Sequence, residues 1–269
     1  MSSASDDSAQ ALRSIDFSVP HSARIWNYWL GGKDNFQVDR DAGDEFLLTY
    51  PGQRDKARAC RHFLARAVRH LVVECGVRQF LDVGTGLPTA NNTHEVAQAL
   101  APEARIVYVD NDPLVLTHAR ALLTSSPEGA TSYIDADLHD PDTILAEAGA
   151  ILDFERPVAL LMLGVLGHMH DYREARAIVR RLLGTLPSGS YFLGCDGTIN
   201  AAYLEAIERY KDSGGIPYHA RSPEDIAGFY GGLELVDPGV VPIHLWRPDP
   251  HHVGVPREVD EMGGIGRKV

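Results

Sequence analysis

Three short stretches carry residue types whose spacing could do chemistry. Asp82-Val83-Gly84-Thr85-Gly86 sets two glycines beside an acid. Asp110-Asn111-Asp112 begins 24 residues beyond Gly86, and Asp137-Leu138 comes later. Each stretch ends a short apolar run: QFLDV, RIVYVD and TSYIDAD. Glycines permit a tight turn and let a ligand approach the backbone closely. An acid at about 20 residues past such a turn is spaced to meet ribose hydroxyls. Its two oxygens can accept from both the 2′ and 3′ hydroxyls. A third acid, Asp137, could accept from an adenine amino group while Leu138 packs on the base. Plainer readings exist for each: an ordinary strand-to-helix turn, a helix cap before Pro113, and a solvated loop in DLHDPD. Their recurrence after three successive runs points to a nucleoside site. The run GTGLPT has Pro88 and Thr89 where a dinucleotide fingerprint needs a small residue, which argues against NAD.

Such residues need a scaffold, and the chain alternates in a way that supplies one. SARIWNYWL and QVDRDAGDEFLLTY read as short helices, and DKARACRHFLARAVRHLVVECG as a long amphipathic helix stopped by Gly76. Strand and helix patterns then alternate: QFLDV with THEVAQAL, RIVYVD with PLVLTHARALL, and TSYIDAD with DTILAEAG. PVALLMLGV with DYREARAIVRRLLGTL and GSYFLGCD with INAAYLEAIERYK follow. SPEDIAGFY reads as a short helix capped by Ser222 with Pro223 at its first position. The last β segments are LELV and VVPIHLW, joined at Asp237-Pro238-Gly239. Alternating apolar strands and helices predict a parallel sheet covered on both faces, with an antiparallel addition at one edge. Ligands of such sheets sit beyond the carboxyl ends of the strands.

Composition narrows the function classes. The 269 residues carry 25 Lys+Arg and 37 Asp+Glu, a net charge of −12. That balance, without a basic stripe, argues against nucleic acid as partner. The longest apolar run, near PVALLMLGVLG, is shorter than the roughly 20 residues a membrane helix needs, so no membrane partner is expected. MSSASDDSAQ lacks the basic start and apolar stretch of a signal peptide. Cys60, Cys75 and Cys195 are scattered and odd in number, which fits a reducing cytoplasm. Nothing in the sequence indicates an oligomeric state. HEVAQ resembles the zincin motif, but Gln98 stands where the second ligand belongs. His139, His251 and His252 lack ligand spacing and read as loop residues, so no metal site is expected.

Beyond these residue-level readings, the chain resembles the class I S-adenosylmethionine-dependent methyltransferases. More closely it resembles the bacterial S-adenosyl methyltransferase family long catalogued as a domain of unknown function. The resemblance covers nearly the whole chain. It is carried by SARIWNYWLGGKDNFQVDR, FLDVGTGLPTANNTHEVAQ, VYVDNDPLVLTHARALL, YIDADLHDP, PVALLMLGVL and GLELVDPGVVPIHLWRPD. It implies a Rossmann-like α/β fold: a seven-stranded, mostly parallel sheet with an antiparallel last strand. It also implies S-adenosyl-L-methionine as cofactor and an N-terminal helical cap. The chain would divide into a flexible tail (1–20), a helical cap or lid (21–76) and a cofactor-binding core (77–269).

Carried onto this sequence, Asp82, Gly84 and Gly86 would line the methionine part of the cofactor, with Thr85 also in the cofactor site. Asp110 would hold the ribose, Asp137 and Leu138 the adenine, and Asn111 would also belong to the cofactor site. Tyr28 and Asn35 would close the pocket, with Lys33 near a carboxylate and Gly31-Gly32 letting the lid turn. The competing reading makes the lid aromatics simple core anchors. In the family pattern a histidine commonly follows the fourth strand's V-L, where this chain has Gly167 and then His168. A Ser-His pair near the end of the fifth strand is replaced by Cys195-Asp196. His168 is the candidate general base, against the reading of a strand-end packing residue. Tyr28 and Tyr203 are candidate pocket walls, and Cys195 reads as a buried thiol. The expected activity is methyl transfer to a small-molecule acceptor. A non-catalytic S-adenosylmethionine sensor or protein-binding module is the alternative, and a NAD-dependent oxidoreductase a third.

Overall fold

A computed structural model of the chain describes residues 16, 18–122, 124–249 and 257–269. The readings made for most of the N-terminal tail and for His251 and His252 fall outside these residues.

Five strands alternate with helices as the apolar runs dictate. They are β1 (Gln79–Val83), β2 (Arg105–Asp110), β3 (Ala130–Asp135), β4 (Ala159–Leu163) and β5 (Tyr191–Gly197), paired in parallel in the order β3-β2-β1-β4-β5. Period-2 alternation assigns their side chains to two faces. Leu81, Val83, Val107, Val109, Leu160 and Met162 point to one face, where α6 (Pro141–Ala148) and α7 (Tyr172–Thr185) cover them. Phe80, Ile106, Tyr108, Ala159 and Leu161 point to the other. There they meet α3 (Gln53–Val73) and α4 (Thr93–Leu100). The long helix α3, placed with the cap by sequence, is thus one of the layers of the sheet: Phe63, Ala67, Val68 and Leu71 are all completely buried.

A third apolar body sits apart from the two sheet faces. Helices α1 (Ser22–Trp29), α2 (Gln37–Thr49) and α8 (Ala201–Asp212) pack around Ile25, Trp29, Phe46, Tyr203 and Ile207. Phe46 lies 5.2 Å from Trp29 and 6.0 Å from Tyr203, ring centre to ring centre, in the tilted geometries aromatic pairs favour. The last helices are α5 (Pro113–Leu122) and α9 (Pro223–Gly228). Ser222 caps α9, accepting from the Asp225 amide at 3.1 Å as its sequence implies.

The C-terminal edge differs from the expectation. LELV and VVPIHLW contribute only the two-residue strands β6 (Glu234–Leu235) and β7 (Val241–Pro242), which do not pair with each other. Both pair with β8 (Glu261–Arg267), a strand the sequence reading did not assign. β8 runs antiparallel to β5 over seven residue pairs. The sheet therefore has eight strands, not seven, although seven lie on its path and β7 shares the outer edge of β8 with β6. The antiparallel last strand is EMGGIGR. Its three glycines hide it from propensity, because glycine weakens an isolated strand. Contacts explain two of them: a Cβ on Gly264 would lie 2.6 Å from the carbonyl of Gly239, and one on Gly263 would strike the carbonyl of Gly194. Pro242 has no N–H for a ladder, and the chain turns after it, burying Ile243 and Trp246 on α3. Arg66 holds that turn by donating to the carbonyls of Ile243 (2.7 Å) and Trp246 (3.1 Å).

Because the atoms opposing a Gly264 side chain are backbone, relief requires strand displacement. Gly264→Val should cost about 1–3 kcal/mol of stability, read from urea unfolding. An unchanged midpoint would show that β8 is not held where it lies.

Candidate functional site

The strand order reverses between β1 and β4, the switch point at which open α/β sheets bind ligands. A cavity of about 380 Å³ opens there. Its floor is the strand ends, with Asp82, Gly84 and Gly86 after β1, Asp110 and Asn111 after β2, Asp137 and Leu138 after β3, and His168 beyond β4. Helix α1, the middle of α3 and the loop residue Ile216 also line it. Of the residues singled out in sequence, nine meet on this one cavity: Asp82, Gly84, Thr85, Gly86, Asp110, Asn111, Asp137, Leu138 and His168.

The turn after β1 is built by positive φ angles, +74° at Gly84 and +64° at Gly86. A side chain on Gly84 would strike Val165 of the turn after β4. Gly84 donates to the carbonyl of Val109 at 2.8 Å, and Gly86 donates to the Asp110 carboxylate at 2.8 Å. Asp110 also accepts from the Asp112 amide at 3.0 Å, while Asp112 caps α5 by accepting from the Leu114 amide at 2.8 Å. Each carboxylate oxygen of Asp110 keeps a further lone pair for a ligand. Burial pushes the Asp110 carboxyl up from its ordinary value, against the two backbone donors. Asp82 is buried and accepts from the Thr93 hydroxyl at 2.6 Å; burial pushes its pKa up to about 6. Asp137 is more open. Burial opposes its charge, but donors from His139 and Asn111 hold its carboxyl below the usual range.

The turn after β4 is a short 3-10 segment, Leu166–His168. His168 Nδ1 lies 3.0 Å from the carbonyl of Pro217. A carbonyl only accepts, so Nδ1 carries the proton and Nε2 keeps its lone pair. Burial lowers the His168 pKa, leaving the ring neutral at neutral pH. Beneath this turn, Asp196 accepts from the Gly167 amide (3.1 Å) and the Tyr218 hydroxyl (2.8 Å). A Cβ on Gly167 would strike the Tyr218 ring, so the missing side chain at 167 makes room for that tyrosine.

Tyr28, Lys33 and Asn35 are not brought to the cavity. The Tyr28 hydroxyl donates to Asp44 at 2.6 Å, and its ring lies against Arg54. Lys33 is exposed on the GGKDNF turn. Asn35 is a brace: its amide donates to the Asn27 side chain (2.9 Å) and the Gly32 carbonyl (3.0 Å). Asn27, Trp26 and Leu30 are the lid residues that reach the cavity. A side chain on Gly32 would collide with Asn27, which is why the second glycine stands there. Tyr203 lies in the third apolar body, away from the lining. His94 and Gln98 of HEVAQ are scaffold: the Tyr108 hydroxyl engages His94, and Gln98 donates to the Ala104 carbonyl.

Several other lining residues carry groups that sequence reasoning missed. His21 lies at the start of α1, its Nδ1 3.0 Å from the buried Asp112 carboxylate. Arg61 and Thr89 line the cavity from α3 and the loop before α4. Cys60 lines it too, and its sulfur, Cys195 and Glu261 place one ligand atom each within 4.8 Å of one another. Two thiols and a carboxylate can hold a soft metal. Here the Lys56 ammonium already neutralises Glu261, at 3.0 Å, and the pair is completely buried. The hydrogen bond from Cys195 favours the Cys60 thiolate, but burial and Glu261 outweigh it and its pKa ends above the ordinary value. The Cys195 thiol is raised by its bond to Cys60 and by burial. Protonated thiols beside a resident ammonium are a poor metal site.

Strand order and a cavity at the switch point define a Rossmann-like α/β fold with a ligand site at its strand ends. The chain belongs to the S-adenosyl methyltransferase family, whose model matches residues 8–269. It is similar to the crystal structure of a DUF574 family protein from Streptomyces avermitilis, with 43% identity, a TM-score of 0.89, and coverage of 94% of this chain and 99% of that one. It is also similar to a proposed methyltransferase from Thermobifida fusca, with 41% identity, a TM-score of 0.84, and coverage of 94% and 96%. No match was found among curated proteins. The protein is an S-adenosylmethionine-dependent methyltransferase, and S-adenosyl-L-methionine is its cofactor. The oxidoreductase reading is set aside.

Burial pushes the Asp196 pKa up to about 7. A carboxyl raised above its unfolded value favours folding while protonated, and that contribution fades as pH rises toward the folded value. Stability should therefore fall between about pH 4 and pH 7, with an Asp196 contribution on the order of 2–4 kcal/mol. Asp196→Asn keeps the acceptor for Tyr218 and Gly167 and should flatten that slope in urea titrations across pH. An unaltered slope would assign it to other groups.

Proposed function

We propose that the protein methylates a small, largely apolar acceptor that carries a hydroxyl or amine. The carrying observation is the cavity itself. Its acid- and glycine-lined strand ends suit a nucleoside, while Trp26, Leu30, Leu64, Leu163, Met169 and Ile216 give it an apolar wall. A cavity of about 380 Å³ is of the size that takes small molecules, not a groove for a polymer.

The residues fit the cofactor. Arg61 Nε and Thr89 Oγ1 are buried at this cavity without hydrogen-bond partners, as expected where a bound group completes them. Around Gly86 only Ala23 comes near the position of a Cβ, at 4.0 Å, so a ligand can approach the backbone. In this reading Asp110 holds the ribose hydroxyls, Asn111, Asp137 and Leu138 the adenine, and Asp82, Gly84, Thr85 and Gly86 the methionine end. Tyr28 and Lys33 take no direct part, and Asn35 acts by bracing Asn27. When bound, the cofactor supplies a methyl group activated by its sulfonium. The chain's part is to hold the acceptor in line, exclude water and accept a proton. His168 Nε2 is the atom for that proton, free in a neutral ring whose other nitrogen is committed to Pro217. An intracellular bacterial setting is supported by free cysteines and by the bacterial origin of both relatives. Among the described residues no helix is long and apolar enough to cross a membrane.

Calorimetry with S-adenosylhomocysteine and NAD, followed by a labelled-methyl screen of small hydroxyl and amine metabolites, tests the function. Binding of NAD alone would sink it. Asp110→Ala should weaken S-adenosylhomocysteine by about 1.5–3 kcal/mol per lost ribose bond, far more than Asp112→Ala. Equal losses would mean that the ribose lies elsewhere. For a hydroxyl acceptor found in the screen, His168→Asn should slow transfer by roughly 10²-fold or more with cofactor affinity unchanged. If His21→Asn alone slows transfer, the base belongs to the opposite wall.

A further inference from the structure

The turn that carries His168 is held from outside the cavity by a buried charge that methyl transfer itself does not use. Arg221 stands just before Ser222, the cap of α9, and is buried. Its backbone is tied to the end of β5: its amide donates to the Gly197 carbonyl at 3.0 Å, and its carbonyl accepts from the Ile199 amide at 3.1 Å. From there the guanidinium reaches the 3-10 turn after β4. Nη1 donates to the Leu166 carbonyl at 2.8 Å and Nη2 to the Met169 carbonyl at 2.6 Å. The rings of Tyr172 and Phe229 lie 5.9 and 5.5 Å from its central carbon. Taking a guanidinium out of water is costly, and neutral carbonyls and rings offset that less fully than a carboxylate does. Packing alone does not explain an arginine here.

The two carbonyls bracket His168. A guanidinium is a rigid planar fork, so gripping both fixes the spacing of Leu166 and Met169 and the pitch of the two residues between them. The chain just before Arg221 holds the same turn. The His219 amide donates to the Gly167 carbonyl at 2.7 Å, Tyr218 reaches the Gly167 amide through Asp196, and the Pro217 carbonyl faces His168 Nδ1 at 3.0 Å. We propose that Arg221 is the positioning residue for His168, setting the ring against Pro217 and so holding the single tautomer in which Nε2 offers its lone pair to the cavity. Which ring nitrogen carries the proton is decided by the bond the other makes. Arg221 does not itself line the cavity and acts only through the turn. The proposal rests on His168 being the base and adds the group that keeps it in a basic form.

The test is nitrogen NMR of the histidine rings in the full chain, with His168 assigned by its loss in His168→Asn. The unmodified protein should show one protonated Nδ1 and one bare Nε2 at neutral pH. Arg221→Met keeps an apolar stem without the fork. It should bring the two nitrogen signals together as the tautomers mix, and move the ring's titration upward as burial is relieved. Arg221→Lys keeps the charge but not the fork and should fall between. S-adenosylhomocysteine affinity should stay unchanged in both. With a hydroxyl acceptor from the screen, Arg221→Met should lower kcat roughly tenfold to a hundredfold, and should add nothing in a His168→Asn background. Ring signals unchanged in Arg221→Met, or in Arg221→Lys if the first variant does not fold, would make Arg221 a purely structural group and overturn the proposal, whatever the loss of urea stability. Signals that change as expected while His168→Asn transfers methyl groups at the unmodified rate would support the positioning and sink the base reading beneath it.

Discussion

Lys56 and Glu261 form the contact on which the arrangement of the site depends. The ammonium lies 3.0 Å from the carboxylate and 3.7 Å from the centre of the Tyr203 ring, with no access to solvent. Burial works against the lysine's charge, yet Tyr203 and Glu261 hold its pKa above the ordinary value. Removing two charges from water is expensive, so such a pair is weak evidence for stability and better understood as a fixed address. It joins α3 to β8 and to α8, three elements from distant parts of the chain. Tyr50 reinforces it by donating to Asp260 at 2.7 Å. Lys56 and Cys60 are four residues apart and share a face of α3. Fixing Lys56 against β8 therefore sets the rotation of α3 and, with it, the presentation of Cys60 and Arg61 to the cavity.

A second constraint shapes the turn after β4. Gly167, Tyr218 and Asp196 are interdependent: the ring occupies the volume a side chain at 167 would need, and its hydroxyl satisfies a carboxylate at the end of β5. The same hydroxyl accepts from the Gly197 amide at 3.0 Å. The His168 ring stands edge-on to Tyr218, 5.3 Å between centres. Replacing one member alone leaves either a clash or a buried polar group without its partner, so the three are expected to change together.

Residues that act through the local backbone were legible in the sequence. THEVAQAL and RIVYVD coincide with α4 and β2, the first a short amphipathic stretch after Asn92 and the second a short apolar run between polar residues. Gly84, Gly86, Asp110 and Asp137 were legible because each follows directly from a strand end. β8 was not, because its glycines exist for close backbone approach to neighbours far away in sequence. The lid failed differently. In a helix each residue turns by about 100°, so Trp26, Asn27 and Leu30 face the cavity while Tyr28 faces Asp44 and Arg54. Composition named the segment, but only the rotation of α1 chooses among its residues. Pairs such as His21 with Asp112 and orphaned donors such as Arg61 Nε carry no local signal.

The raised thiols of Cys60 and Cys195 bear on a hazard peculiar to this chemistry. An alkylating cofactor makes any reactive sulfur on a pocket wall a liability. A thiolate is the reactive form of cysteine, and a neutral thiol is a poor nucleophile. Cys60 forms part of the wall, yet burial and the charge of Glu261 keep its proton in place. The carboxylate that anchors α3 through Lys56 thus also helps burial keep the sulfur at the wall in its protonated, less reactive form.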